Sequence, residues 1–413
     1  MNDTREATFL ERVERFLAED GVARYDPWTY DAPLVCDEGR VRELEALQEA
    51  MLALAEGVAS HFDALLPHLP YDGAVKGFFA KLAGKPMRAG AFRPDFLVTE
   101  DGHLWLFEIT CRFPLNGTFL SEGCNQLPKI RRYIQDHQLE SVGYTRKLVQ
   151  TLLAWAGQAD ALWIIRGRDS ARNESSALQP HFDGAMPLPF VYISLEDFIA
   201  LDPSAFAGTK ALVAEINFEE WQRIPDTHLE AMLEGPLLND PRFVFITHDK
   251  SFFALPFMEE IASTVLSDQE ARLLRKHFAK TLLPGQAPEA WENALQHPER
   301  WIIKPRRLGK SEGIVAGALA DFEAWKALIE RAEHSDVVLQ QWHEPRRIEG
   351  SIGDREYEDV FCGTWLCWGH ESLGPGLIRA STHKVINVKD NRKAACIVAP
   401  RFNDARDASI QWL

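Results

Sequence analysis

Three short stretches of this sequence hold residue types that can do chemistry together. The first is Arg93-Pro94-Asp95, followed across Glu100-Asp101-Gly102 by Glu108-Ile109-Thr110. Asp-Gly between two apolar-rich runs, Phe92–Val98 and His103–Ile109, is a strong hairpin signal. Side chains alternate faces along a strand, so Arg93 shares a face with Asp95 and Glu108 with Thr110. A tight turn at Asp101-Gly102 then sets Asp95 nearly opposite Glu108. Two adjacent carboxylates repel unless a positive charge lies between them. Mg2+ takes oxygen ligands from one or two carboxylates plus phosphate, which makes it the natural candidate. Glu108 also sits in an apolar run, Leu106-Phe107-Glu108-Ile109, where a solvated carboxylate is unexpected.

The second stretch is Trp301 to Val315. It reads as a strand ending in Lys304-Pro305, a polar loop with Gly309 and Gly313, and a second strand. Such a loop can turn backbone N–H groups onto phosphate oxygens. Lys304 adds a point charge, and Arg306, Arg307 and Lys310 make the loop basic; Ser311 adds a hydroxyl. The third stretch, Val337 to His343, is a buried strand running into Gln340, Gln341 and Trp342, which can hydrogen-bond and stack against a base. Taken singly, these stretches also fit a solvated hairpin, a basic surface hairpin and an ordinary core strand end.

The elements that must position these residues follow from periodicity. Val41, Leu44, Leu47, Met51, Leu54, Val58, Phe62 and Leu65 recur every three or four residues, which predicts a buried helix face ended by Pro67 and Pro70. The first 85 residues read as helical, as do a stretch near 144–156 and most of 250–298. Between them, Ala161–Ile165, Phe190–Ile193, Ala211–Ile216 and Phe243–Ile246 read as short buried strands separated by helix-compatible segments. That alternation suggests a parallel α/β sheet. No G-x-G-x-x-G accompanies it, so no dinucleotide is assigned. The block 299–413 reads as strand-rich, with strands at 301–303, 313–315, 337–339, 360–361 and 384–388 and one helix at about 320–333.

The chain has 413 residues, 46% hydrophobic and 26% charged, an ordinary globular composition. At roughly 100–200 residues per domain it holds two or three domains. Its formal net charge of −16 argues against non-specific binding to nucleic acid or an anionic membrane, while leaving room for a local basic pocket. The six cysteines show neither C-x-x-C nor zinc spacing, so they read as free thiols of a reducing compartment. The N-terminal run is acidic where a signal peptide needs basic residues, and no stretch approaches 18 consecutive apolar residues. The expectation is a cytoplasmic protein whose partners are small molecules, with neither nucleic acid nor membrane; oligomeric state is unreadable.

Together the three stretches resemble the ATP-grasp superfamily. The order here, metal hairpin first and Lys-Pro strand later, resembles the circularly permuted branch that includes glutathionylspermidine synthetases and eukaryotic-type glutathione synthetases. The resemblance implies an α/β (α+β) fold: a circularly permuted ATP-grasp with an inserted Rossmann-like domain and an N-terminal helical segment. The expected division is 1–90 helical segment, 91–157 first ATP-grasp segment, 158–248 Rossmann-like substrate domain and 249–413 second ATP-grasp segment. It also implies ATP and Mg2+, with Asp95, Glu108 and Thr110 as metal ligands. Arg93 then steadies the transferring phosphoryl group, and Lys304, with Arg307, Gly309, Lys310, Ser311 and Gly313, holds the nucleotide phosphates. Gln340, Gln341 and Trp342 form the adenine hinge, and Lys250 closes on the nucleotide. Arg379 and Asn387 sit where the superfamily has acyl- and phosphate-facing polar residues. The implied activity is a carboxylate–amine ligation through an acyl phosphate, releasing ADP and phosphate, on substrates such as amino acids, peptides or specialised metabolites. One departure is Thr110, which stands where the superfamily has Asn; a hydroxyl is a weaker metal donor than an amide carbonyl.

Two other readings share these residues. Pro94-Asp95 with Glu108-x-Thr110 approaches the P-D…(D/E)-x-K pattern of metal-dependent nucleases, although Thr110 cannot supply the lysine's charge and the net charge disfavours a polyanion. The other is an ATP-grasp homologue that binds nucleotide without turning it over.

Overall fold

The computed structural model describes residues 2–19, 25–82, 84–139, 143–170, 188–309, 311–332, 335–386, 392–399 and 410–413. Lys310 and Asn387, both singled out by the sequence, lie outside them.

The hairpin forms as its sequence demands. β2 (Ala91–Val98) pairs antiparallel with β3 (Leu104–Thr110). Gly102 takes φ +79 at the turn, while the Asp101 carboxylate accepts from the His103 amide at 3.1 Å. Phe96 and Val98, with Leu104, Leu106 and Ile109, drive their side chains into the main core. Arg93, Asp95 and Leu97 therefore take the opposite face, alongside Trp105, Glu108 and Thr110.

This hairpin is the far half of a seven-stranded sheet. β13 (Arg355–Trp368) lies beside β2, and β15 (Ile378–Ser381) and β16 (Lys393–Ala394) continue outward, while β12 (Arg347–Ile352) and β14 (Glu371–Pro375) also pair with β13. Gly363 on β13 sits where a side chain would collide with the Phe96 ring, so the two strands approach closely through a glycine. A second, four-stranded antiparallel sheet runs β10 (Val315–Ala316), β9 (Trp301–Pro305), β11 (Val337–Gln341), β8 (Thr281–Leu282). Its own small core holds Trp301, Ile303, Leu339 and Trp325, the last from the helix Phe322–Ala332.

The parallel sheet is present, in the order β5 (Phe190–Ser194), β4 (Ala161–Arg166), β6 (Lys210–Glu215), β7 (Leu237–Leu238). One expectation fails here. Phe243–Ile246 is not a strand but part of the helix Pro241–Thr247, and the two-residue β7 takes the fourth place in the sheet. Asp240 caps that helix by accepting from the Arg242 amide, and Pro241 fits its first turn. Every residue of the helix is buried, and a helix buried all round carries the same continuous apolar run as a buried strand.

Two further differences concern the chain ends. The N-terminal region is not wholly helical: β1 (Leu34–Cys36) pairs in parallel with β17 (Cys396–Val398). The strand expected at 384–388 is absent from its described part, since residues 382–385 are bends beyond β15. The long helix Glu38–Ser60, capped by Asp37, buries Leu44, Leu47, Met51, Leu54 and Val58 as its spacing requires. No helix among the described residues is long and apolar enough to cross a membrane.

Candidate functional site

A cavity of about 230 Å3 lies between the two antiparallel sheets. The hairpin supplies Arg93, Asp95, Trp105, Phe107, Glu108 and Thr110 to its wall. Asp95 and Glu108 are direct cross-strand partners. The register shifts by one residue just after Asp95, so Phe107 is an extra residue on β3. This bulge brings the consecutive side chains of Phe107 and Glu108 to the same cavity while Leu106 stays in the core. From the facing sheet come Ile302, Lys304 and Gln340, and from β13 and β15 come Cys362 and its register partner Arg379.

The electrostatics of this wall are those of charges taken out of water. Asp95 is 6% exposed. Burial pushes its carboxyl up to about 6, and Glu108 adds to the rise against the pull of Arg379, Arg93 and Lys304. Glu108 goes the other way: burial opposes its ionisation, but the charges of Lys250 and Lys304 outweigh burial and hold it below its ordinary value. Lys250, 1% exposed, makes the close contact, with Nζ 3.1 Å from Glu108 Oε1. Lys304 Nζ lies 4.7 Å from the Phe107 ring centroid, and burial pulls its ammonium down to about 8.

The loop after β9 is tied down at its start. Lys250 Nζ donates to the Leu308 carbonyl at 2.6 Å, and the Lys250 amide donates to the Arg306 carbonyl at 3.0 Å. Arg306 forks onto Asp249, donating from Nε at 3.0 Å and from Nη2 at 2.7 Å. Arg307 also reaches Asp249, at 3.3 Å, and binds Asp72 at 3.0 Å. Gly309 and Ser311 line the cavity, whereas Lys250, Arg307 and Gly313 do not. Lys250 instead joins the loop to the hairpin, and Arg307 joins it to the N-terminal region. Gly313 takes φ +68 with Pro305 close behind it, which a side chain would hit.

At the far end, Gln340 donates its amide to Thr281 Oγ1 at 2.8 Å, fixing its orientation. Gln341, Trp342 and His343 follow along the wall. His343 stacks on Trp105 with ring centroids 3.6 Å apart and planes at 12°. The result is a flat aromatic surface beside an amide, at one end of a cavity whose other end is charged.

Several wall residues were not read from the sequence. Trp105, Phe107, Arg112, Asn116, His248 and His343 line the cavity, and no chemical role for them follows from the sequence alone. His248 is 139 residues from Ile109, the hairpin residue it contacts; no local spacing signals such a pairing. Among the described residues no cluster of three or more His, Cys, Asp or Glu is placed to hold a metal ion. A cation here would draw on Asp95, Glu108 and the Thr110 hydroxyl, with phosphate and water completing its shell.

Comparison with known proteins gives a fold. A family model described as the AnkG N-terminal domain matches residues 81–246, less than half of the chain. No curated protein matches. Among solved structures, the chain is similar to a glutathione synthetase-like effector from Globodera pallida in its apo form, at 12% identity and a TM-score of 0.57, over 95% of this chain and 97% of that one. A D-alanyl-alanine synthetase A from Vibrio cholerae aligns at 16% identity with a TM-score of 0.30, over 51% of this chain and 68% of that one. The likeness to the effector is one of fold, a mixed α/β architecture shared over nearly the whole of both chains.

Proposed function

We propose that this protein is an ATP- and Mg2+-dependent ligase that joins a small-molecule carboxylate to an amine, built as a circularly permuted ATP-grasp with the division 1–90, 91–157, 158–248 and 249–413. One observation carries the reading: a single cavity gathers Asp95, Glu108, Thr110, Arg93 and Arg379 opposite Lys304, with Gln340 and the Trp105–His343 stack at its end. These residues come from segments some 200 positions apart, and each has the chemistry that its part of MgATP requires. The name of the glutathione synthetase-like effector, whose fold the chain shares, points the same way.

The donor set fits Mg2+. Two carboxylates on neighbouring strands face one cavity, and burial, with Glu108 alongside, raises Asp95 to about 6. When bound, Mg2+ would neutralise phosphate oxygens. The chain's own residues do the rest. Lys304, Arg93 and Arg379 lie where charge builds up as the carboxylate oxygen attacks the γ-phosphate. Charge stabilisation of this kind, with positioning, accounts for most catalysis of phosphoryl transfer. Gln340 and the aromatic surface orient the base. The loop from Arg306 to Gly313 covers the phosphates and keeps out water, which otherwise hydrolyses the acyl phosphate.

Calorimetry with ATP plus Mg2+ against ATP plus EDTA tests the nucleotide site, and ADP release with pools of amino acids and amines tests turnover. Metal-dependent binding and substrate-stimulated ADP release are expected. Glu108→Gln and Lys304→Ala should each abolish ADP release with the fold intact by circular dichroism. Absence of nucleotide binding in the wild type would refute the proposal.

A further inference from the structure

Beside the metal hairpin, the wall of the cavity has a second face. His248 and Arg112 line both the main cavity and a smaller one of about 30 Å3 behind it, whose other walls include Phe218, Trp221, Val244 and Phe245. Both residues carry a buried nitrogen with no hydrogen-bond partner among the described residues, Nε2 of His248 and Nε of Arg112. Neither is required by the nucleotide site described above.

The His248 ring is oriented by one contact. Its Nδ1 lies 3.1 Å from the Ile109 carbonyl oxygen. A carbonyl only accepts, so Nδ1 carries the proton and donates. In the neutral ring Nε2 is then a bare lone pair, an acceptor with nothing to accept. Burial, with Arg112 and Lys250 nearby, pulls His248 down to about 4, which keeps the ring neutral at physiological pH. A buried acceptor left unmatched is costly, and in a cavity wall it marks the place of a donor on a ligand. ATP phosphates and carboxylates are acceptors. The adenine amino group belongs at the Gln340 end of the cavity, so beside His248 the amine is the reactant that brings N–H donors.

We infer that His248 Nε2 accepts the proton released when the amine attacks the acyl phosphate. The inference rests on the ligase reading. The neutral amine approaches from the smaller cavity with an N–H directed at Nε2. Its lone pair forms the C–N bond at the acyl carbon, and the C–O bond to phosphate breaks, its electron pair leaving with the phosphate. The adduct nitrogen has become strongly acidic, so one N–H proton passes to Nε2. The imidazolium, flanked by Arg112 and Lys250, then yields that proton to the departing phosphate. Amide and hydrogen phosphate result, with one proton moved and no oxidant or reductant involved.

The test separates this step from the one before it. His248→Asn keeps an N–H for the Ile109 carbonyl and removes the basic Nε2, since an amide oxygen is not protonated near neutral pH. Full-length wild type and variant are given MgATP and a pool of amino acids, with the nucleophile supplied either by amines or by hydroxylamine. Hydroxylamine is weakly basic, and its adduct sheds a proton to water unaided. The expected result is a loss of about 100-fold or more in amide formation, with at least tenfold less loss in hydroxamate formation. Equal losses, or none, would overturn the role of His248 while leaving the ligase intact. A wild type that forms neither hydroxamate nor amide sinks the ligase reading, and this inference with it. Independently of any substrate, 15N spectra of histidine-labelled protein, assigned with His248→Asn, should show a neutral Nδ1–H ring. An Nε2–H ring would remove the acceptor and the inference together.

Discussion

Asp249→Asn probes the frame that holds the loop after β9. Asp249 is 3% exposed and accepts from Arg306 twice, from Arg307 once and from the Ser251 amide. Asparagine keeps the shape but turns an NH2 toward a guanidinium, so a buried pair becomes a donor–donor clash. Breaking one side of a buried pair costs about 3–5 kcal/mol. Arg306 keeps Asp336 at 3.2 Å and Arg307 keeps Asp72 at 3.0 Å, so the lower end, about 3 kcal/mol, applies. For a cooperative unit of about 200 residues this lowers the melting midpoint by about 6–12 °C. The pH dependence has a definite sign. Burial opposes ionisation of Asp249, but Arg306 and the hydrogen bonds outweigh burial and hold the carboxyl below its ordinary value. Its contribution is therefore complete above the unfolded-state value of about 3.9 and is lost as pH falls through the folded one. Melting curves of wild type and variant, followed by circular dichroism, should stay a constant distance apart from pH 7 to about pH 5 and converge below about pH 4. A shift under about 2 °C at pH 7, or a gap that persists in acid, would refute the argument.

Three more substitutions have expected outcomes. At Gly117, φ is +81 and an added Cβ would lie 2.0 Å from Arg93 Nη1. Gly117→Ala should cost about 1–2 kcal/mol in a thermal melt and, by displacing Arg93, lower ADP release by up to about 100-fold. At Gly90, a Cβ would lie 1.8 Å from Asn239 Oδ1, and Asn239 Nδ2 ties the Ala91 and Cys111 carbonyls together at 2.7 and 2.8 Å. Gly90→Ala should therefore lose about 2 kcal/mol, read by urea denaturation. Thr110→Asn replaces a hydroxyl by a better metal donor, so Mg2+ dependence of ATP binding should tighten or stay unchanged; a severe loss of ADP release would show that the hydroxyl has another role.

The hairpin was legible because the Asp-Gly turn signal and the alternation along each strand are local properties. The expected pairing of Asp95 with Glu108 is present, but by another route: the turn spans Glu100 to Gly102, which alone would set Asp95 opposite Phe107, and the bulge at Phe107 restores the register. The bulge was not legible, since nothing in Leu106-Phe107-Glu108 states that one residue will be left over. The Phe243–Ile246 run was misread because a continuous apolar stretch carries no period; the signals of its helix, Asp240 and Pro241, lie just before it. Lys250 was expected near the nucleotide. The structure puts it against Glu108 and the Leu308 carbonyl, and only tertiary placement could reveal that. The same holds for Arg307, whose partners Asp72 and Asp249 are distant in sequence, and for His248, whose contact with the hairpin is set by the packing of the helix Pro241–Thr247.

The sheet that carries the Asp95–Glu108 hairpin is closed by a very late partner. β2 pairs with β13, which follows it by roughly 270 residues, so the pairing has a high contact order and a large loop-closure cost. At about 5–20 residues per second, a ribosome takes roughly 15–50 s to travel that distance. Through that interval the parallel sheet at 161–238 can form from local segments, while the hairpin waits with one unpaired edge and with Phe92 and Phe96 uncovered. An open edge next to bare aromatic rings invites pairing with another nascent chain. For this protein, then, the burden of avoiding aggregation falls on the period of synthesis, on the same hairpin that later forms the wall of the cavity.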